Sequence, residues 1–152
     1  MAYTTINKST DHFNTKLYSG NNSTNAQTGV GFQPDWLWIK CRSHADSSQI
    51  VDALRSTNAL RSDASNAQSD IASNGFTSLD SDGFTLNGSN SGGNVNNSGR
   101  TYAAWNWKAG TGAGSSNTDG TINTTYTSAI NTQDFQFAHG QEQEVQERLV
   151  MD

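Results

Sequence analysis

Gly29-Val30-Gly31-Phe32-Gln33-Pro34-Asp35-Trp36-Leu37-Trp38-Ile39-Lys40-Cys41-Arg42 is the stretch on which the reading of this chain turns. It holds the only proline, the only cysteine and two of the four tryptophans. Glycines and Pro34 punctuate its start as in a tight turn, and large side chains follow without a break. Such a run predicts a strand buried on both faces. Side chains alternate along a strand. Trp36, Trp38 and Lys40 therefore share one face, and Leu37, Ile39 and Cys41 share the other. A distant echo lies at Thr101-Tyr102-Ala103-Ala104-Trp105-Asn106-Trp107-Lys108-Ala109-Gly110, again with two tryptophans at period two. These two segments are expected to be the central strands.

The rest of the chain fits an all-β reading. Apolar residues make up 32% of the 152 residues, against about 45–50% in a typical globular protein on a count that includes glycine. Charge is also low at 15% while aromatics reach 9%, which is not the composition of a disordered chain. Thr, Tyr, Phe and Trp favour strands, and Asn, Gly, Ser and Asp favour turns. The sum predicts an antiparallel β-sandwich, with a domain at 1–137 and a tail or helix at 138–152.

Several classes are disfavoured. Net charge is −5, and no basic patch is available to neutralise phosphates, so no nucleic-acid partner is expected. One cysteine allows no internal disulfide and no Cys-based zinc site. The opening Met1–Ser9 lacks the apolar core of a signal peptide. No apolar run approaches the ~20 residues that span a bilayer, so no membrane insertion is expected.

Phe13–Ser19 alternates and predicts a strand, ended by the turn cluster Gly20–Ser23. Gln49–Arg55 is apolar with β-branched residues at its centre and is read as another strand. Gly75-Phe76-Thr77 and Gly83-Phe84-Thr85 flank Asp80–Gly83, a strong hairpin signal. Ser89–Gly99 is nearly all Ser, Asn and Gly and is expected to be a mobile surface loop. Gly110–Asn117 reads as a flexible linker. Thr121–Phe137 supplies one or two more strands. Gln141–Asp152 places Val145 and Leu149 four residues apart and is the one stretch that reads as a helix.

Candidate sites are few. Asp80-Ser81-Asp82-Gly83 begins like a calcium loop, but Phe84 stands where a further ligand belongs and no glutamate closes it. A hairpin turn is the preferred reading. His12, His44 and His139 are scattered and form no metal pair. Cys41 is expected in the core. Gly110, Gly112 and Gly114 lack the spacing of a phosphate cradle. No catalytic constellation, cofactor or metal is expected, and the chain is read as non-enzymatic. Trp36, Trp38, Trp105 and Trp107 are the sharpest feature. Packing between the two sheets is the leading reading. An interface with another chain comes second, and a glycan platform third.

The Gly-x-Gly-Phe-Gln-Pro-Asp-x-x-Trp-Ile-Lys stretch at 29–40, Asp80–Leu86 and Thr101–Gly110 occur in that order, after Met1–Asn7 and Leu17–Asn21. Together they resemble a domain common in structural proteins of tailed bacteriophages, notably those infecting marine bacteria. The resemblance covers roughly residues 1–125. It implies a β-sandwich of the jelly-roll or lectin-like sort and a virion protein without known catalysis. A head knob or decoration protein, or a small appendage, is the implied role. The alternative is a tail-fibre or adhesin-type carbohydrate-binding module for host recognition. The implied setting is the virion surface after synthesis in the bacterial host cytoplasm. The implied partners are other capsid or tail proteins, further copies of this chain, and host surface glycan. Family members are often longer, and Phe135–Asp152 does not look like their continuation. Val145, Leu149 and Met151 are thus the candidates for attachment or self-association.

Overall fold

The alternation in the organising stretch is realised as a strand with two unequal faces. In the computed structural model, which describes residues 8–73, 75–88, 94–110, 115–117, 124–129 and 136–139, Leu37, Ile39 and Cys41 are buried and Trp36, Trp38 and Lys40 half-buried. The expectation of a strand buried on both faces is corrected to a strand with one core face. A short 3-10 turn at Ser9–Asp11 opens the described chain. Among the described residues the strands that follow are β1 (Phe13–Ser19), β2 (Asn25–Gln27), β3 (Trp36–Cys41), β4 (Gln49–Asp52), β5 (Asn58–Ala59), β6 (Ser69–Asp70), β7 (Phe76–Asp80), β8 (Gly83–Leu86), β9 (Thr101–Trp107), β10 (Ser115–Asn117), β11 (Thr124–Ala129) and β12 (Gln136–His139). No α-helix occurs among the described residues. The helix expected at 141–152 lies outside them.

The chain divides into two units, residues 1–108 and 109–152. In the first, β1-β9-β3-β4 form a four-stranded sheet and β2-β8-β7 a three-stranded one, with β5-β6 as a short ribbon. Within the two larger sheets every pairing is antiparallel. The four-stranded sheet contributes Tyr18, Leu37, Ile39, Cys41, Val51, Tyr102 and Ala104 to the core, and the three-stranded sheet contributes Phe76, Phe84 and Leu86. The result is an all-β sandwich with one apolar layer between two sheets. The second unit is a three-stranded antiparallel sheet in the order β10-β11-β12. Its first strand takes up Ser115–Asn117, which composition alone assigns to a linker.

Tyr18 and Tyr102 stand opposite each other on β1 and β9. Their rings stack at 5.0 Å and 14°. The Tyr18 ring also meets Phe84 of the other sheet edge-on at 6.0 Å. Both hydroxyls are satisfied: Tyr18 donates to Val95 O at 2.6 Å, and Tyr102 accepts from Asn97 N at 3.0 Å. Burial pushes the Tyr102 hydroxyl up to about 12 and the Tyr18 hydroxyl well above its usual range. An unfolded tyrosine ionises near ~10, so between that pH and the folded values the unfolded chain holds fewer protons. This contribution to stability is therefore full below pH ~10 and is lost as pH rises through the folded values. Alkaline titration should show near-ultraviolet dichroism collapsing together with the appearance of these phenolates. Ionisation of all tyrosines with the dichroism intact would contradict the pairing.

The Phe76/Phe84 near-repeat forms the expected hairpin, with Asp80 opposite Gly83 and both phenylalanines in the core. Gly83 has φ +144, and a Cβ there would lie 1.9 Å from the carbonyl oxygen of Gln27 on β2. Glycine is required on both counts. Gly83→Ala should cost about 2 kcal/mol through backbone displacement and strain. A urea midpoint unchanged from the parent would refute it.

Residues 94–99 differ from the mobile loop expected there. Val95 and Asn96 are each 1% exposed. Composition marks this stretch as loop because its only apolar residue is Val95. Long-range hydrogen bonds, described below, fix it instead.

Candidate binding surface

The four tryptophans sit on the outer face of the four-stranded sheet. Antiparallel register places Phe13, Trp107 and Trp36 in one row across β1, β9 and β3. The next row holds Thr15, Trp105, Trp38 and Ile50. Phe13 and Trp107 are 4.9 Å apart between ring centroids, Trp107 and Trp36 4.4 Å, and Trp38 and Trp105 5.2 Å. Trp36 and Trp38 meet along one strand at 6.3 Å. Interplanar angles of 48° to 63° make these tilted and edge-to-face contacts, the arrangement that the ring quadrupole favours.

This placement corrects the expectation that the tryptophans pack between the sheets. They neighbour one another within one sheet and remain half-buried. The inner positions of β3 and β9 are taken by Leu37, Ile39, Cys41, Tyr102 and Ala104. One sequence signal bears on the choice of face: Lys40 shares the parity of Trp36 and Trp38, and a lysine is almost never fully buried unpaired. Phe13, Leu17 and Leu60 are the exposed large apolar side chains among the described residues, at 38%, 58% and 38%. Phe13 and Leu17 occupy outer positions of β1, and Leu60 bridges Ile50 at the far side of the sheet. Exposed apolar surface is thus gathered on one face, which is where a contact site is sought.

The outer positions of these four strands carry two charged residues, Lys40 and Asp52, and both are engaged. Lys40 Nζ donates to the Asp46 carbonyl at 2.5 Å. Asp52 pairs with Arg55, with side chains 0% and 6% exposed. Its other oxygen accepts the backbone N–H groups of Leu54 and Arg55 at 3.0 and 2.9 Å. Both charged side chains at the outer strand positions are thus held by partners within the fold.

The remaining carboxylates of interest also serve turns. Asp82 accepts N–H bonds from Gly29 at 2.9 Å and Gly31 at 2.6 Å. These bonds hold its carboxyl below the usual carboxylate range. The glycines stand at φ +81 and +92, so the hairpin tip is fastened to the turn that feeds β3. Asp80 accepts the hydroxyls of Ser78 at 2.7 Å and Thr85 at 2.6 Å. The calcium-like spelling of this loop thus holds two carboxylates that partners within the fold already occupy. Asp46 pairs with Arg100. Cys41 is buried, half-buried His12 caps no cluster, and exposed His44 meets Ser43 Oγ at 3.0 Å. Among the described residues no group of three or more His, Cys, Asp or Glu is placed to hold a metal ion. Val145, Leu149 and Met151 lie outside the described residues.

Sequence reasoning missed Asn96. Its amide nitrogen donates to Ser23 O at 2.7 Å and Asn87 O at 2.9 Å. Its oxygen accepts from Asn25 Nδ2 at 2.8 Å and Asn21 N at 3.2 Å. No local pattern announces such a hub, because all its partners are distant in sequence.

No curated protein and no solved structure matches the chain. The profile of a domain of unknown function, DUF7483, matches residues 8–141. That span takes in most of the sequence, both central strands and the hairpin, and the chain belongs to the DUF7483 family.

Proposed function

We propose that this protein is a non-enzymatic structural protein displayed on the surface of a tailed-bacteriophage particle, as a head knob, a decoration protein or a small appendage. It works by contact rather than by reaction. The observation that carries this reading is the aromatic outer face, where four tryptophans and Phe13 stand clear of the core. The carboxylates of Asp46, Asp52, Asp80 and Asp82 are spent on fastening turns, which agrees with a scaffold. The ordered resemblance to phage structural proteins supplies the virion setting. Capsid or tail proteins and further copies of the chain are the proposed partners, with the 141–152 segment as attachment. Repeated copies would let weak contacts add by avidity.

The test is direct. Purified particles of a phage that encodes this chain are examined by mass spectrometry and immunogold labelling. Regular surface labelling is expected. A chain made in infected cells but missing from particles would refute the reading. Deleting residues 141–152 should reduce incorporation, and unchanged incorporation would remove that segment from the proposal.

A second reading, an adhesin-type carbohydrate-binding module, is favoured by the uncharged aromatic character of the same face.

A further inference from the structure

We propose that a seam of side chains closes the open side of the sandwich and keeps β1 from accepting a further strand. The inference goes beyond the display reading and does not depend on it.

β1 is an edge of the four-stranded sheet and β2 an edge of the three-stranded one, and among the described residues no main-chain ladder joins them. Side chains bridge them instead. Asn14 Nδ2 donates to Val30 O at 2.9 Å, Lys16 Nζ to Thr28 O at 2.7 Å, and Asn25 Nδ2 to Ser19 O at 3.1 Å. As β1 steps forward from 14 to 16 to 19, its partners step back from 30 to 28 to 25. That is the register of an antiparallel hairpin about residues 20–24, with side chains in place of the backbone bonds. Each rung ends on a main-chain carbonyl, so it satisfies the backbone as well as joining the sheets.

The same side chains occupy the free edge of β1. Lys108 N donates to His12 O, and Gly20 N to Arg100 O. Even-numbered residues of β1 therefore face β9, and odd-numbered ones turn their N–H and C=O groups outward. A strand adding here would bond Thr15, Leu17 and Ser19. Thr15 N already donates to Asn14 Oδ1 at 2.9 Å, and Ser19 O already accepts from Asn25. Of these residues, Leu17 alone keeps both outward groups without a partner among the described residues. An unpaired edge is a template for association, and inward-pointing charges and very short edge strands guard against it. Lys16 has the parity of buried Tyr18 and reaches inward, and β2 is three residues long. Asn14 and Asn25 complete the guard by filling the bonds that an added strand needs.

The experiment is sedimentation equilibrium of the full chain from about 10 μM to about 1 mM. The double variant Asn14→Ala with Asn25→Ala frees Thr15 N and Ser19 O. It should self-associate, with an average mass at least about twofold above the parent's at the highest concentration. Adding Leu17→Pro should reverse this, because proline removes an outward N–H and leaves the β9 ladder intact. Near-ultraviolet dichroism of the stacked tyrosines reports whether each variant keeps its fold. A folded double variant with the parent's mass would overturn the proposal, and so would association that survives Leu17→Pro. Amide exchange in the parent decides the matter where the double variant unfolds. After correction for intrinsic rates, Thr15 N–H should exchange about fivefold more slowly than Leu17 N–H. Equal exchange would overturn the proposal.

Discussion

Asp52→Ala should cost about 3–5 kcal/mol of folding stability, because it strands a buried guanidinium. Asp52 ends β4, and its side chain is fully shielded from solvent, as is nearly all of Arg55. One carboxylate oxygen receives Arg55 Nε at 2.5 Å and also pairs with the guanidinium Nη2. The other closes the turn by accepting two backbone N–H groups. The Asp52 carbonyl accepts Ser56 N at 3.0 Å, and Ser56 stands at φ +57. One residue thus neutralises a buried cation and satisfies the backbone of a strained turn. Against a typical total of about 5–15 kcal/mol, the loss would leave the sandwich barely folded.

The same pair makes a discriminating control. Replacing both partners together, as Asp52→Leu with Arg55→Met, removes the charge and the desolvation cost along with the attraction. This double variant should recover more than half of the loss, with a residual penalty from the turn N–H groups. Urea unfolding followed by tryptophan emission reports on the first unit, which contains every tryptophan. A single-variant loss below about 1 kcal/mol, or a double variant no better than the single, would mean that the pair is solvated rather than buried.

Much of the first unit is legible in the sequence, for physical reasons. β1, β3 and β9 announce themselves because period-two alternation of large side chains has no other economical fold. The Gly-Phe-Thr hairpin is legible because two-residue turns demand Asp and Gly chemistry. What alternation cannot decide is which face points inward. Trp36 and Trp38 are larger than Leu37 and Ile39, and size suggests the core. The layer between the sheets instead takes Leu37, Ile39 and the stacked tyrosines, whose hydroxyls reach Val95 and Asn97. The tryptophans go outside and satisfy one another laterally. The candidate surface was therefore visible as residues and as a pairing, but its exposure followed from a competition between faces that a single strand does not record. Alternation makes Phe13 and Leu17 part of a strand, and only the register with Trp107 and Ala103 brings them to that surface. The order of loop 94–99 escapes the sequence for the opposite reason. Its order comes from partners at 18–25, 87 and 102, while composition reports only on neighbours in sequence.

That loop carries the second large effect. Asn96→Ala should cost about 2–3 kcal/mol, since it removes four part-buried hydrogen bonds at once. Its amide bonds the carbonyls of Ser23 and Asn87 and receives Asn21 N and Asn25 Nδ2. Backbone approach is also close here: a Cβ on Gly20 would lie 2.2 Å from Asn97 O. Asn96→Asp separates the hydrogen-bond account from simple packing, because it keeps the shape and the acceptor but loses the donor. Its carboxylate would face the Ser23 and Asn87 carbonyls, so at neutral pH it should be at least as damaging as alanine. Burial among acceptors raises the folded carboxyl above its unfolded value. A group raised in this way is penalised at high pH, and the penalty is relieved as pH falls toward the unfolded value. Asn96→Asp should therefore gain stability relative to Asn96→Ala on moving from pH ~7 to pH ~5, measured as the difference in urea midpoints. An aspartate variant that matches the parent at neutral pH would show that the amide donor does not hold the two loops together.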